Sequence, residues 1–248
     1  MDASLTSAGG LALLGLGFGF GLKHATEVDH VVAVSTMVSK SRNLFRSAMV
    51  GALWGAGHTA ALLISGAVVL LLRVTIPESV SNWLELGVAL MILVLGLSGV
   101  WRALRKGKKV HVHEHSHDGM AHAHIHFHEG TTQHRKGQAS RHTHAVSSIG
   151  VKPILIGTLH GLAGSGALTL LVLTQINSAW VGLFYLALFG VGSILGMVLM
   201  SSLIGLPFAL TSRNLTGLHQ RLQTAAGVLS IAFGLWYAHR ILSASTLF

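Results

Sequence analysis

Four histidines sit where an apolar chain has little reason to place them. His24, His30, His58 and His160 each lie inside a long aliphatic run, and Glu27 and Asp29 stand beside the first two. Ionisable groups sunk in hydrocarbon are costly, turn toward a bundle interior, and mark ion pathways or proton relays. Imidazole plus carboxylate without sulfur is a donor set suited to nickel, cobalt, zinc or iron. The chain has no cysteine and its methionines are scattered, which disfavours a copper(I) path and removes disulfides, thiolate zinc sites and iron–sulfur clusters together.

A regular helix advances about 100° per residue, so His24, Glu27 and His30 follow one drifting stripe while Asp29 lies about 140° around from His24. An undistorted helix cannot aim all four groups at one ion. Either the helix breaks here, or Asp29 acts one step back from the ion, orienting an imidazole through its ring N–H.

The elements that must position these residues follow from hydropathy. Half of the 248 residues are hydrophobic, only 10% are charged, and the charges gather in short segments. A soluble domain of this size rarely shows that balance. Six apolar stretches, at 11–38, 45–72, 83–104, 149–174, 179–206 and 222–241, are long enough to cross a hydrocarbon core of about 30 Å. The first is too long for an upright helix and holds the ionisable cluster in its middle, so it must tilt, break or bury those groups. Met1 to Gly21 has no basic segment ahead of its apolar run and reads as part of this span, not as a cleaved signal peptide.

The first three stretches resemble the last three. Gly21-Leu22-Lys23-His24 answers to Gly157-Thr158-Leu159-His160, Leu53 to His58 answers to Leu188 to Ser193, and Gly96-Leu97 answers to Gly234-Leu235, at offsets of 136, 135 and 138 residues. Halves with an odd number of spans must be inverted relative to one another, the arrangement many secondary transporters use to build a midplane site. Small residues four apart, such as Gly51 with Gly55 and Gly157 with Gly161, suit close helix packing in lipid.

Orientation follows from basic residues. With both termini on one side, fourteen lysines and arginines fall on the other side and two, Arg73 and Arg240, fall with the termini. The asymmetry places the long loop in the cytoplasm and both termini outside. It also accounts for the formal charge of +9 without nucleic acid, for which no aromatic-interleaved basic patch is present.

Between Arg105 and Ser148 stand eleven histidines, in alternating runs such as His111, His113, His115, His117 and His122, His124, His126, His128. A flexible polar segment of this kind offers a dense field of imidazoles for capture, buffering or sensing of cytoplasmic metal.

His24-Ala25-Thr26-Glu27-Val28-Asp29-His30 resembles the His-X4-Asp-His signature of the nickel/cobalt transporter superfamily (NicO/NiCoT). Gly57-His58-Thr59 resembles its second motif and Leu159-His160-Gly161-Leu162 the start of its third. The likeness covers most of the membrane spans. It implies a transmembrane metal-recognition helix, nickel or cobalt as the transported ion with zinc as a further candidate, and a prokaryotic plasma (inner) membrane location. After the third motif the well-studied importers continue with acids, whereas this chain reads Ala163-Gly164-Ser165-Gly166-Ala167-Leu168-Thr169. With six spans in place of eight, it is closer to the shorter branches, which include urease-accessory-like and metal efflux proteins.

The sequence therefore describes an all-α polytopic membrane protein of six transmembrane helices. Residues 1–104 and 149–248 form two inverted three-helix repeats, and a His-rich cytoplasmic loop, 105–148, joins them. The expected metal residues are His24, Asp29, His30 and His58, with Glu27 and His160 as neighbours. No nucleotide-binding P-loop is present, so transport would draw on an ion gradient or run as facilitated movement. The ion is cargo, with no resident cofactor; the partners are the bilayer and a metallochaperone or nickel-enzyme maturation factor. Two rivals stand beside transport: a membrane-bound metal chaperone or sensor supplying a nickel enzyme, and an intramembrane metalloenzyme. The second lacks an HExxH-type pairing or a serine nucleophile elbow, so the chain is not expected to be an enzyme.

Overall fold

The computed structural model describes residues 8–41, 43–74, 76–105, 110–117, 120–127, 150–175 and 178–244. Among these, the apolar stretches form seven helices: α1 (Ala8–His24), α2 (Val28–Val38), α3 (Leu44–Leu72), α4 (Glu78–Arg105), α5 (Lys152–Gln175), α6 (Ala179–Asn214) and α7 (Thr216–Ala244). Four of them, α3, α4, α6 and α7, are long and apolar enough to cross a membrane. The first expected span is broken in two, α1 of 17 residues and α2 of 11.

Two helices outrun their apolar stretches. α6 continues to Asn214 through Pro207. At 1.5 Å per residue its 36 residues reach about 54 Å, well beyond a hydrocarbon core of about 30 Å, so it tilts or projects from the bilayer. α4 begins at Glu78, ahead of the apolar run, because an acid in the first turn complements the positive end of the helix dipole. α3 starts where the Asn43 side chain accepts the Arg46 N–H at 2.8 Å and ends on Arg73 in the left-handed region, φ 52°.

The helices leave many large apolar residues exposed and bury hydroxyl side chains beside core residues such as Trp54, Phe189 and Ile92. Ile64, Leu71, Val94, Leu199, Leu203 and Leu229 are exposed, whereas Thr36, Ser47, Ser193, Ser201 and Ser230 are buried. That is the distribution of a body solvated by lipid, where small residues let helices approach and hydroxyls bond across them. The chain is a membrane protein.

The close approaches fix how the helices run. A Cβ on Gly157 would strike the Trp54 backbone and one on Gly161 the His58 backbone, so α3 and α5 lie side by side and parallel. Gly21 meets Phe189 and Gly192 meets Phe18, with Ala25 against Gly196, so α1 and α6 are parallel too. Gly96 meets Gly227 and Ile231, while Gly234 meets Ala89 and Leu93, which makes α4 and α7 antiparallel. α2 is held to α7 by the Thr36–Ser230 hydroxyl pair at 2.6 Å and by Gln223 Nε2 donating to the Ser39 carbonyl at 2.7 Å.

The histidine-rich segment departs from the unstructured linker expected of it. β1 (Val110–His117) and β2 (Met120–Phe127) pair antiparallel, with His111 opposite His126, His113 opposite His124 and His115 opposite His122. Alternation of two is the strand period. His128 and the rest of the loop to residue 149 lie outside the described residues.

Candidate metal centre

The first span breaks at the residues expected to do chemistry. Thr26 N–H and the Thr26 hydroxyl both bond the Lys23 carbonyl, at 2.9 and 2.6 Å, and Glu27 N–H bonds the His24 carbonyl at 3.1 Å, which turns the chain out of α1. Glu27 itself is extended, with φ −63° and ψ 147°. Asp29 Oδ1 then accepts the His30 N–H at 2.9 Å, satisfying one of the free amides that open α2. His24 thus ends one half-helix while Asp29 and His30 begin the next. Unwound midplane helices of this type bring side chains and backbone to bear on an ion from two directions.

The structure brings all six expected residues together. The His24 and His30 rings are 4.4 Å apart by centroids, His24 and His58 5.1 Å, His30 and His58 5.4 Å, and His30 and His160 4.1 Å. One ligand atom from each of His24, His30 and His58 lies within 4.8 Å of the others, and the same holds for Asp29, His30 and His160. The two groups share His30. Of the two alternatives left open by helical geometry, the helix break occurs, and Asp29 is hydrogen-bonded to two imidazoles.

Hydrogen bonding sorts the ring nitrogens. Asp29 Oδ1 lies 3.1 Å from His30 Nδ1 and Oδ2 lies 2.9 Å from His160 Nε2. A carboxylate accepts, so each of those nitrogens carries its proton and the opposite nitrogen keeps its lone pair. His30 Nε2 and His160 Nδ1 are buried with no hydrogen-bond partner, and so is His58 Nδ1. Glu27 Oε1 does the same for His24 Nδ1 at 3.1 Å, turning His24 Nε2 toward His58 Nε2 at 3.2 Å. Orphaned buried acceptors are rare and call for an explanation; a cation among them supplies one.

The six residues are not equivalent. His30, His58 and His160 are buried, with Trp54 packed 5.2 Å from the His30 ring. Glu27 is 56% exposed and reaches the cluster through His24 alone, so it belongs to the rim. His160, expected as a neighbour, joins the centre directly through Asp29.

A cavity of about 460 Å³ opens onto the cluster, lined by His24, Glu27, Asp29, His30 and His160 and also by Glu85 and Tyr237. The last two were missed. Glu85 had a signal, being the only acid in the apolar stretch 83–104; Tyr237 had none.

The urease accessory protein UreH of Bacillus sp. (strain TB-90) is 38% identical over 236 residues, which cover 93% of this chain and 92% of that one. The chain belongs to the UreH family. Two Arabidopsis thaliana proteins, chloroplast protein FOR GROWTH AND FERTILITY 2 and 1, are 26% and 24% identical to this UreH-family chain over 245 and 208 residues. It spans 60% and 53% of their lengths. No family model matches the chain. No solved structure matches it either.

Proposed function

We propose that this UreH-family protein carries a divalent transition-metal ion, nickel first and cobalt second, through the membrane by way of the His24, Asp29, His30, His58 and His160 centre. One observation carries the reading. Three buried imidazole nitrogens, on His30, His58 and His160, have no partner within a cluster set at a helix break and reached by a cavity. Imidazole with carboxylate and no thiolate suits nickel, cobalt and zinc. Urease is a nickel enzyme, and the Bacillus relative bears the name of a urease accessory protein, which favours nickel among the three. The same likeness, with the His-X4-Asp-His run, supports membership of the NicO/NiCoT superfamily in its urease-accessory-like branch.

A carrier needs two-sided architecture, and the close approaches support one. Gly21 against Phe189 and Gly157 against Trp54 are the same contact at the repeat offsets, as are Gly192 against Phe18 and Gly57 against Ile154. Gly96 with Ile231 mirrors Gly234 with Leu93. Such reciprocity is what an in-plane pseudo-two-fold axis relating two inverted three-helix halves produces, with α1 and α2 together forming the first of six spans. His58 has Ser193 as its counterpart and His30 has Gly166, so the ligands are concentrated in the first half and only His160 enters from the second. The cavity walls lie toward the end of the bundle where α4 begins and α7 ends, away from Arg102, Arg105 and Lys152. By the positive-inside rule that end is external, and the histidine-rich hairpin is cytoplasmic.

A second reading, a membrane-bound chaperone or sensor delivering nickel to a maturing enzyme, is favoured by the relative's name and by the cytoplasmic histidines. Purified protein in sealed liposomes separates the two. A carrier raises lumenal nickel under an inward gradient, and His30→Ala abolishes that uptake while the helical circular dichroism is kept. Nickel that binds the protein but never reaches the lumen overturns transport in favour of delivery.

A further inference from the structure

The cavity contains a carboxylate that the metal centre does not use. Glu85, from the third turn of α4, lines the same space as His24, Asp29, His30 and His160, and its Oε2 lies 3.5 Å from the Tyr237 hydroxyl of α7. It is partly exposed, in a helix that carries no other charged residue from Trp83 to Trp101. Burying part of a carboxylate in such a helix is costly, and one long hydrogen bond offsets little of that cost. Glu27, also on the cavity wall, is bonded to His24. Lys23 lies on the same wall and opposes cations. Glu85 is therefore an anionic group facing the cavity without an imidazole to orient. His30, 1% exposed and with its Nε2 unpartnered, lines the same cavity.

We propose that Glu85, held in place by Tyr237, is the entry carboxylate that draws a hydrated divalent cation into the cavity and sets how fast it reaches the histidines. The inference rests on reading the centre as a metal site, and it adds a residue and a kinetic role. Low-dielectric walls focus the field of a charge along a cleft, and steering of this kind raises association rates by about 10-fold or more. The attraction is screened over a Debye length of about 8 Å at physiological salt, so its mark is an ionic-strength dependence of the on-rate. A carboxylate that only tied α4 to α7 would leave that dependence untouched.

Stopped-flow mixing of nickel ion with protein in nanodiscs tests this, using quenching of the tryptophan packed on His30; Trp54→Phe assigns the signal. Glu85→Gln keeps an acceptor for the Tyr237 hydroxyl and loses the charge. The expected result is a roughly 5- to 10-fold slower association with a flatter salt dependence and an unchanged dissociation rate. Glu85→Asp restores most of the rate, and Tyr237→Phe gives an intermediate loss by freeing the carboxylate. Equal association rates and salt slopes for wild type and Glu85→Gln overturn the proposal while leaving the metal centre standing. Absence of nickel binding to the wild type overturns both, whereas binding without liposomal uptake removes transport alone and leaves the entry role intact.

Discussion

Asp29 spans two imidazoles from different helices, its Oδ1 3.1 Å from His30 Nδ1 and its Oδ2 2.9 Å from His160 Nε2. One carboxylate therefore sets the tautomer of both rings and joins the start of α2 to the middle of α5. The lone pairs it leaves on His30 Nε2 and His160 Nδ1 are buried and unshared. Through this bridge, a residue that helical geometry turns away from His24 becomes the hinge of the site.

Asp29→Asn tests that role. The amide offers one acceptor oxygen, so one imidazole keeps its partner while the other meets an NH2 group and must change tautomer. Loss of an outer carboxylate of this kind costs about 10- to 100-fold in metal affinity. Isothermal titration with nickel on protein in nanodiscs should show that drop with the helical content unchanged. Affinity within twofold of wild type would remove Asp29 from the centre.

Protons and metal compete for the same lone pairs. A ligating imidazole must be neutral. As pH falls the protonated fraction rises, so nickel affinity and uptake should weaken toward acid and level off toward neutral pH. Uptake into liposomes with internal and external pH matched, and the same nickel gradient at each value, checks the sign. Uptake that rises as the pH is lowered would count against imidazole ligation.

Much of this was legible in the residues. Ionisable groups at membrane depth announce themselves because lipid punishes them, so His24, Glu27, Asp29, His30, His58 and His160 could be named before their distances were known. The angle between His24 and Asp29 left two alternatives, a helix break at 24–30 or an Asp29 one step back from the ion, and could not choose between them. Tertiary placement was less accessible. Glu27 and His160, ranked alike as neighbours from the sequence, part company in the structure, since the rim position of one and the Asp29 contact of the other depend on how α2 and α5 pack. Tyr237 is an ordinary aromatic in an apolar helix until α4 brings Glu85 beside it. The strands at 110–117 and 120–127 have the strand period of two, but the polar, histidine-rich composition pointed to a flexible loop.

The glycine contacts between α3 and α5 make a packing prediction with a built-in control. A methyl group on Gly157 would meet the Trp54 backbone, and one on Gly57 the Ile154 backbone, whereas Gly87 has open space around it. Backbone cannot swing aside as a flexible side chain does, so Gly157→Ala and Gly57→Ala should each destabilise by about 1–3 kcal/mol, the usual cost of overpacking. Gly87→Ala should instead stabilise by about 0.5–1 kcal/mol, because alanine loses less freedom in a helix. Thermal melts in detergent that rank the three alike would mean that α3 and α5 are not in backbone contact.

The Thr36–Ser230 hydroxyl pair, 2.6 Å long and buried, tests how α2 is held. Ser230 also donates to or shares bonds with the Val32 and Ala226 carbonyls, at 3.2 and 3.0 Å, so it is the node and Thr36 the branch. Interhelical hydrogen bonds in membranes average about 0.6 kcal/mol and reach about 1.7. Ser230→Ala leaves the Thr36 hydroxyl buried without its partner, which places it toward the upper end of that range. Thr36→Val with Ser230→Ala removes both polar groups at once and should recover part of the loss, since no buried hydroxyl then goes unpaired. A double variant whose loss equals the sum of the two single losses would show that the hydroxyls act apart, each through its own helix backbone. Near-complete recovery, read as the unfolding midpoint in detergent, would identify the pair as the α2–α7 latch.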